Sequence, residues 1–370
     1  MYALLTGTGG ADGWPQLGCR CSSCMRARSA GNRREPGCVV IDATLEFRAG
    51  QPVTAAAGSA GGPHRVGQVA GGWDVTGPDG GRLLLAAGPG QVPQPPAGAA
   101  PYDLALLDLL VSPAQLGLLR SAGLVHARTA VAALYTDHRV SSPAELARRC
   151  EHWQVSQGHD GQLISGPLRQ DPGRGPVRPH RTLIVGGARS GKSTEAELRL
   201  SGEPRVTYLA AGPWQSWADA DGGPDTEWAD RVARHRACRP SWWLTAESLD
   251  VAGWLRRDTG ALLIDGIGTW LAGIMDEAAL WRDRADSPAS PDPAQQVRSR
   301  IDDLIGAWRQ TSALVVAVTD EVGSGLVPPY PAGRVFRDQL GWLNQQLAAE
   351  SELTVHVVAG RAVPLGGCGQ

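Results

Sequence analysis

The second half of this chain predicts an α/β fold in which a mostly parallel sheet is covered by helices, and three observations carry that expectation. From Arg181 onward, short continuous apolar runs alternate with helical stretches, as strands buried on both faces do. The run Gly186-Gly187-Ala188-Arg189-Ser190-Gly191-Lys192-Ser193 follows one such apolar run and opens a helical stretch. Composition also shifts along the chain: of the 13 Trp, ten lie after residue 180, whereas the 48 Gly and 27 Pro are denser before it.

Taken in order, the second half reads as strand Thr182–Val185, helix Ser193–Leu200, strand Val206–Ala210, helix Trp228–Cys238 and strand Ala261–Asp265. There follow a helical stretch Thr269–Met275, helix Gln296–Trp308, strand Ala313–Thr319, the long amphipathic helix Arg334–Glu350 and strand Leu353–Val358. The first half reads as short strands between Gly/Pro turns, among them Tyr2–Thr6, Cys38–Asp42, Arg82–Ala86 and Leu104–Leu110. Two helices are expected there, Pro113–Ala122 and Ser142–Trp153. The second has Ser142 as cap, Pro143 at its first position and Glu145 in its first turn. The breaker-rich stretch around Asp171-Pro172-Gly173 has no apolar periodicity, so the expected division is a domain 1–168, a linker 169–179 and a domain 180–370.

Bulk properties narrow the function. The 370 residues suffice for two cores, and a net charge of −2 with pI near 6.5 argues against nucleic acid or an anionic membrane surface as partner. No run approaches the ~18 apolar residues of a membrane span, and the start of the chain lacks the basic, then apolar, pattern of a signal peptide. Three of the seven Cys crowd into Cys19-Arg20-Cys21-Ser22-Ser23-Cys24, a spacing that suits a metal better than a disulfide framework. The expectation is a cytoplasmic protein.

Gly186-x-x-x-x-Gly191-Lys192-Ser193 between a strand and a helix is a phosphate loop. Its glycines let backbone N–H groups turn toward phosphate oxygens, Lys192 supplies a point charge, and Ser193 a ligand for Mg²⁺. Asp265 ends an apolar strand, where a carboxylate can help to hold that Mg²⁺. His235 sits among Arg231, Arg234, Arg236 and Arg239; a neutral imidazole is a competent nucleophile toward phosphorus, and guanidiniums can hold the charge that develops. His356, inside an alternating strand, reads as a packed or edge histidine.

These residues accumulate into a resemblance. The phosphate loop, Arg231 to Pro240 around His235, Trp243-Leu244-Thr245-Ala246-Glu247 and Leu262-Leu263-Ile264-Asp265 occur in one order. They are followed by Thr319-Asp320-Glu321-Val322-Gly323-Ser324-Gly325, and by Phe336-Arg337-Asp338 with Asn344-Gln345. Over residues 181–363 the series resembles the adenosylcobinamide kinase/adenosylcobinamide-phosphate guanylyltransferases. The resemblance implies a P-loop, RecA-like sheet and two reactions of cobalamin biosynthesis. A nucleoside triphosphate (ATP or GTP) first phosphorylates adenosylcobinamide. GTP then passes GMP through a histidine to give adenosylcobinamide-GDP. His235 and Lys192 would be catalytic. Gly186, Gly187, Ala188, Arg189, Ser190, Gly191, Lys192, Ser193, Arg236, Arg239, Glu247 and Asp265 would meet nucleotide, and Ser193 and Asp265 would hold Mg²⁺. A homo-oligomer is implied, with a trimer compatible. Gly268, Gly273 and Asp320 depart from the Thr, Asn and Asn expected there, and 211–225 carries an insertion.

Thr6 to Gly10, Gly13 to Gly18, Cys19-x-Cys21-x-x-Cys24 and Ala27-Arg28 are similar to the opening of metallo-β-lactamase-fold proteins of the phosphodiesterase and coenzyme-synthesis types. That resemblance implies a structural Zn²⁺ on Cys19, Cys21 and Cys24 with a late His, for which His159 is the choice and His126, His138 and His152 compete. The His-x-His-x-Asp-His cluster of that fold is absent from the sequence, so the first domain is expected to be a shortened, non-hydrolytic version. Two other functions fit a P-loop alone: a small-molecule kinase without guanylyl transfer, and a nucleotide-binding regulatory module.

Overall fold

The computed structural model describes residues 1–56, 63–167, 178–212, 239–257, 260–280 and 292–366. Outside the described residues lie His235, Arg236, the expected helix 228–238, nearly all of the linker 169–179 and most of the insertion 211–225. The chain divides into two compact units, Met1–Pro176 with Ser201–Pro204, and Val177–Leu200 with Arg205–Gln370.

The first unit is built on two sheets. One is antiparallel, in the order β11-β1-β2-β3-β4, from β1 (Tyr2–Gly7), β2 (Cys38–Ile41), β3 (Leu45–Arg48), β4 (Thr54–Ala55) and β11 (Gln162–Ser165). The other runs β10-β9-β8-β7-β6-β5, from β5 (Arg65–Val69), β6 (Gly72–Thr76), β7 (Arg82–Ala86), β8 (Leu104–Leu107), β9 (Ala130–Ala133) and β10 (Ser156–Gln157). Leu5, Val39 and Ile41 of the first sheet and Leu83, Leu85, Leu104 and Leu106 of the second bury into one core, so the sheets face each other. Strands β7 to β10 are parallel, and the returns from β8 to β9 and β9 to β10 are made by α2 (Ala114–Ser121) and α3 (Pro143–Trp153). Helix α3 has the expected start: Ser142 Oγ accepts from Glu145 N at 3.2 Å, and Pro143 occupies the first turn. The short α1 (Ser22–Ser29) is a helix the sequence reading did not anticipate, and the sulfur of Cys21 caps it by accepting from Cys24 N at 3.4 Å.

The second unit contains one sheet of order β14-β13-β15-β16-β12-β17-β18. Its members are β12 (Arg181–Gly186), β13 (Val206–Ala210), β14 (Leu244–Glu247), β15 (Ala261–Asp265), β16 (Leu314–Asp320), β17 (Leu353–Val358) and β18 (Arg361–Leu365). All neighbours are parallel except the β17–β18 hairpin. Strand β16 therefore separates β12, which feeds the phosphate loop, from β15, which ends at Asp265. Alternate residues enter opposite cores: Leu183, Leu262, Ile264 and Val315 on one face, and Ile184, Leu263, Val316 and Val355 on the other. That burial on both faces is why the strands read as continuous apolar runs.

Five described helices cover this sheet: α4 (Lys192–Leu200), α5 (Val251–Leu255), α6 (Ile267–Glu277), α7 (Pro293–Gln310) and α8 (Pro331–Ala349). Helix α7 begins on Asp292, whose carboxylate accepts from Ala294 N, and places Val297, Ile301, Leu304 and Trp308 in the core. No described helix is long and apolar enough to cross a membrane. Trp308 is fully buried and its indole N–H donates to Ser351 Oγ at 3.2 Å. Trp308→Ala should therefore cost the second unit about 3–5 kcal/mol in urea unfolding followed by circular dichroism; a loss under about 1 kcal/mol would mean that α7 does not seal this core.

Candidate functional site

The C-terminal ends of β12, β13, β15 and β16 gather the polar residues of the second unit. Gly186 ends β12, and the loop then turns through Gly187, Ala188, Arg189 and Ser190 into α4, which starts at Lys192. Arg189 and Gly191 hold positive φ values of 56° and 97°, the left-handed turns that aim successive N–H groups into one hollow. The loop's carbonyls are tied down from outside: Glu321 N donates to Gly186 O at 3.1 Å, and Gly360 N to Ser190 O at 2.8 Å. Gly360 lies in the two-residue turn of the β17–β18 hairpin, where Ala359 and Gly360 both have positive φ, as the twist of a tight hairpin requires. A Cβ on Gly191 would stand 3.3 Å from the Cα of Gly360, so the loop and the turn fit only as backbone against backbone.

The side chains follow. Ala188 and Arg189 are exposed, whereas Ser190 is buried with a hydroxyl that has no partner among the described residues. Lys192 is buried at the helix start; its ammonium donates to Gly187 O at 3.2 Å and pairs with Asp320 Oδ1 at 2.9 Å. Ser193 Oγ donates to Asp265 Oδ1 at 3.4 Å, bringing together the two residues expected to hold Mg²⁺. A hydroxyl and a carboxylate at the mouth of a phosphate loop are the hard oxygen donors that cation prefers.

Two further side chains complete the cluster, and neither was singled out from the sequence. Tyr208 of β13 donates its hydroxyl to Asp265 Oδ2. Burial first, and then the Asp265 charge, push that phenol far above its ordinary value. Glu197 is four residues after Ser193, so it shares that face of α4. Burial first, then the neighbouring Asp265 carboxylate, push Glu197 up to about 7, with Arg239 opposing.

Arg239 stacks its guanidinium on the Tyr208 ring, 3.3 Å from the centroid, yet its buried Nε and Nη1 have no acceptor among the described residues. It borders a cavity of about 410 Å³ lined also by Pro240, Ser241, Trp243, Thr245 and Glu247. Glu247 is exposed at the end of the edge strand β14, in register with Ala210, itself paired with Asp265. Two buried, unfilled donors of a half-buried cation beside a cavity have the chemistry of an anion-binding wall. His356, paired with Val185 and Val363 inside the sheet, is half-buried and stands in a strand rather than in this cluster.

In the first unit, the ligand atoms of Cys19, Cys21, Cys24 and His138 all lie within 4.8 Å of one another. The imidazole gathered with the three thiols is thus that of His138, one of the competing histidines, rather than the chosen His159. His159 lies before β11, where its backbone N–H donates to Gln162 Oε1 at 3.0 Å and the charges of Arg34 and Asp160 act on it. Chain order misled here because the loop after β9, not the end of the unit, returns beside the thiols. Three bonds fix this geometry. Ser23 Oγ donates to Val140 O at 2.6 Å, and Arg28 donates to the carbonyls of Gln16 and Cys19, each at 2.5 Å. Burial pushes the Cys24 thiol up to about 11, while the N–H of Cys24 holds Cys21 below its usual range.

In the metal-free protein Glu197 makes stability depend on pH. Because its folded value, near 7, exceeds the ordinary carboxyl value of 4.5, the folded state binds more protons between these limits. Its contribution is thus complete below pH 4.5 and is lost as pH rises through 7. Glu197→Gln should flatten that fall and stabilise the protein at pH 8 by on the order of 2–3 kcal/mol; an unchanged pH profile of unfolding would contradict it.

A family model described as cobinamide kinase / cobinamide phosphate guanyltransferase matches residues 182–365. The bifunctional adenosylcobalamin biosynthesis protein CobP of Pseudomonas aeruginosa is 35% identical over 193 residues, covering 50% of this chain and 98% of that protein. CobU of Salmonella typhimurium, described as a bifunctional adenosylcobalamin biosynthesis protein, is likewise 35% identical over 196 residues, with 50% and 98% covered. CobU of Escherichia coli is 32% identical over 192 residues with the same coverage. Among solved structures, a prototypical ATPase of a type III secretion system aligns with a TM-score of 0.31 at 13% identity, covering 50% of this chain and 57% of that one, a likeness too slight to weigh.

Proposed function

The chain belongs to the cobinamide kinase / cobinamide phosphate guanyltransferase family, and from that premise we propose that its second unit performs both reactions of the family at one nucleotide site. The observation behind this reading is the loop Gly186–Ser193 with buried Lys192, facing Asp265 and the unfilled donors of Arg239 across the strand ends. In the kinase step, the loop N–H groups and Lys192 hold the β- and γ-phosphates of ATP or GTP. The aminopropanol hydroxyl of adenosylcobinamide attacks the γ-phosphorus, the nucleoside diphosphate leaves, and the hydroxyl proton passes to solvent. Ser193 and Asp265 would hold Mg²⁺, which offsets phosphate charge when bound.

In the transfer step, His235 attacks the α-phosphorus of GTP and pyrophosphate leaves. The new phosphate of adenosylcobinamide then attacks the histidyl-GMP, giving adenosylcobinamide-GDP and free His235. Arg236 and Arg239 would stabilise the charge at the α-phosphate, and Glu247, lining the same cavity as Arg239, would meet the nucleoside end. His235 and Arg236 lie outside the described residues, so their roles rest on the resemblance of the motif. The test is incubation with GTP labelled on the α-phosphate. Wild type should acquire an acid-labile, alkali-stable label that His235→Ala abolishes and His356→Ala keeps; γ-phosphoryl transfer with no such label would reduce the activity to a kinase.

For the first unit we propose a structural Zn²⁺ on Cys19, Cys21, Cys24 and His138, within a shortened metallo-β-lactamase-like domain, 1–168, joined by a linker, 169–179, to the enzyme domain, 180–370. Three thiols and an imidazole within 4.8 Å are a donor set that suits tetrahedral Zn²⁺. Elemental analysis should find about one zinc per chain, lost in Cys24→Ser and reduced in His138→Ala but kept in His159→Ala; retention in the first two would remove the assignment. A cytoplasmic location, which rests on composition, and a homo-oligomer such as a trimer, which rests on the resemblance, complete the proposal.

A further inference from the structure

The ion pair between Lys192 and Asp320 gives this chain a property that a phosphate loop does not by itself possess. Resting on the reading of Gly186–Ser193 as a triphosphate site, we propose that Asp320 is a positioning residue which holds the Lys192 ammonium in the empty site, so that a triphosphate binds by displacing it.

The placement of the carboxylate follows from the sheet. Asp320 ends β16 directly opposite Gly186 of β12, so its side chain emerges beside the loop. Its backbone is fixed: Asn344 Nδ2 donates to Asp320 O at 3.0 Å, and Thr319 Oγ1 to Asn344 Oδ1 at 2.7 Å. The next residue, Glu321, donates its N–H to Gly186 O at 3.1 Å. Space for the carboxylate comes from Gly268, where a Cβ would stand 3.0 Å from Asp320 Oδ2. Two residues that differ from the expected pattern, Asp320 and Gly268, thus form one arrangement.

Lys192 has a side chain only 8% exposed, and Asp320 is its one anionic partner among the described residues. A buried ammonium without a counter-charge is costly, so the pair stabilises the empty site. An incoming terminal phosphate needs the same ammonium, and once it has it, the released carboxylate faces a charge of its own sign. Asp320 therefore favours the empty state and disfavours the loaded one, and its net effect is weaker binding of triphosphate.

The dissociation constant of the β,γ-imido analogue of ATP, or of GTP where wild type binds that more tightly, tests this in the full chain with Mg²⁺. Asp320→Asn keeps the side-chain shape without the charge and should tighten binding about tenfold. Asp320→Glu, which restores a carboxylate within reach of Lys192, should return the constant to within about threefold of wild type. The gain in Asp320→Asn should shrink with ADP, which brings only one of the two phosphates that compete for Lys192. Binding unchanged or weakened in Asp320→Asn, or changed equally in both variants, overturns the proposal and leaves the nucleotide site standing. Failure of wild type to bind either analogue removes the site and the proposal together.

Discussion

The second unit is organised around one constraint: a loop whose N–H groups turn inward still has to be held in shape from outside. Besides the Ser190 N–H bond to Gly187 O within the loop, its carbonyls serve that purpose. Gly186 O is taken by Glu321 N, from the residue after β16, and Ser190 O by Gly360 N, from the hairpin turn. The parallel order β16-β12-β17 places both donors at the end of the strand that feeds the loop. Sheet order, hairpin type and loop shape are thus one solution to one hydrogen-bonding problem.

Around that loop acidic and basic groups are set close together. Asp265 meets Tyr208 and Ser193, Glu197 is held near 7 by burial and by Asp265, and Asp320 occupies Lys192. Arg239, by contrast, is a cation with two unfilled donors. Acidic groups gathered around Asp265, with a guanidinium whose donors are unsatisfied stacked beside them, give these strand ends the chemistry that the proposed magnesium and phosphates would use.

Much of this fold was legible in the sequence, because buried parallel strands leave an unbroken apolar record. Strands 206–210, 261–265 and 353–358 were read with their exact limits, and the phosphate loop with its flanking elements. Edge and hairpin strands such as β14 and β18, largely exposed and carrying Glu247 at the end of one and Pro364 within the other, left no such record. Helix α1 was missed because its cap is a cysteine sulfur rather than an oxygen. Tyr208 reaches the site by cross-strand register, which local pattern does not encode; the i, i+4 relation of Ser193 and Glu197 does encode the latter's placement. The substitution of His138 for His159 has the same origin: spacing identified the thiols, and only the path of the chain after β9 identified the imidazole.

The hairpin turn at Ala359-Gly360 has a consequence for when the protein becomes competent. The loop it braces is separated from it by about 170 residues of sequence, so the carbonyl of Ser190 has no backbone donor until Gly360 has been translated and β17 has paired with β12. At ~5–20 residues per second, that interval lasts on the order of ten to thirty seconds on the ribosome. During it the first unit can already fold, while the phosphate loop lacks both braces until Glu321 has been made and one of them thereafter. Nucleotide capture is in this sense acquired only after the strands that follow the loop have been made, rather than with the motif that encodes it.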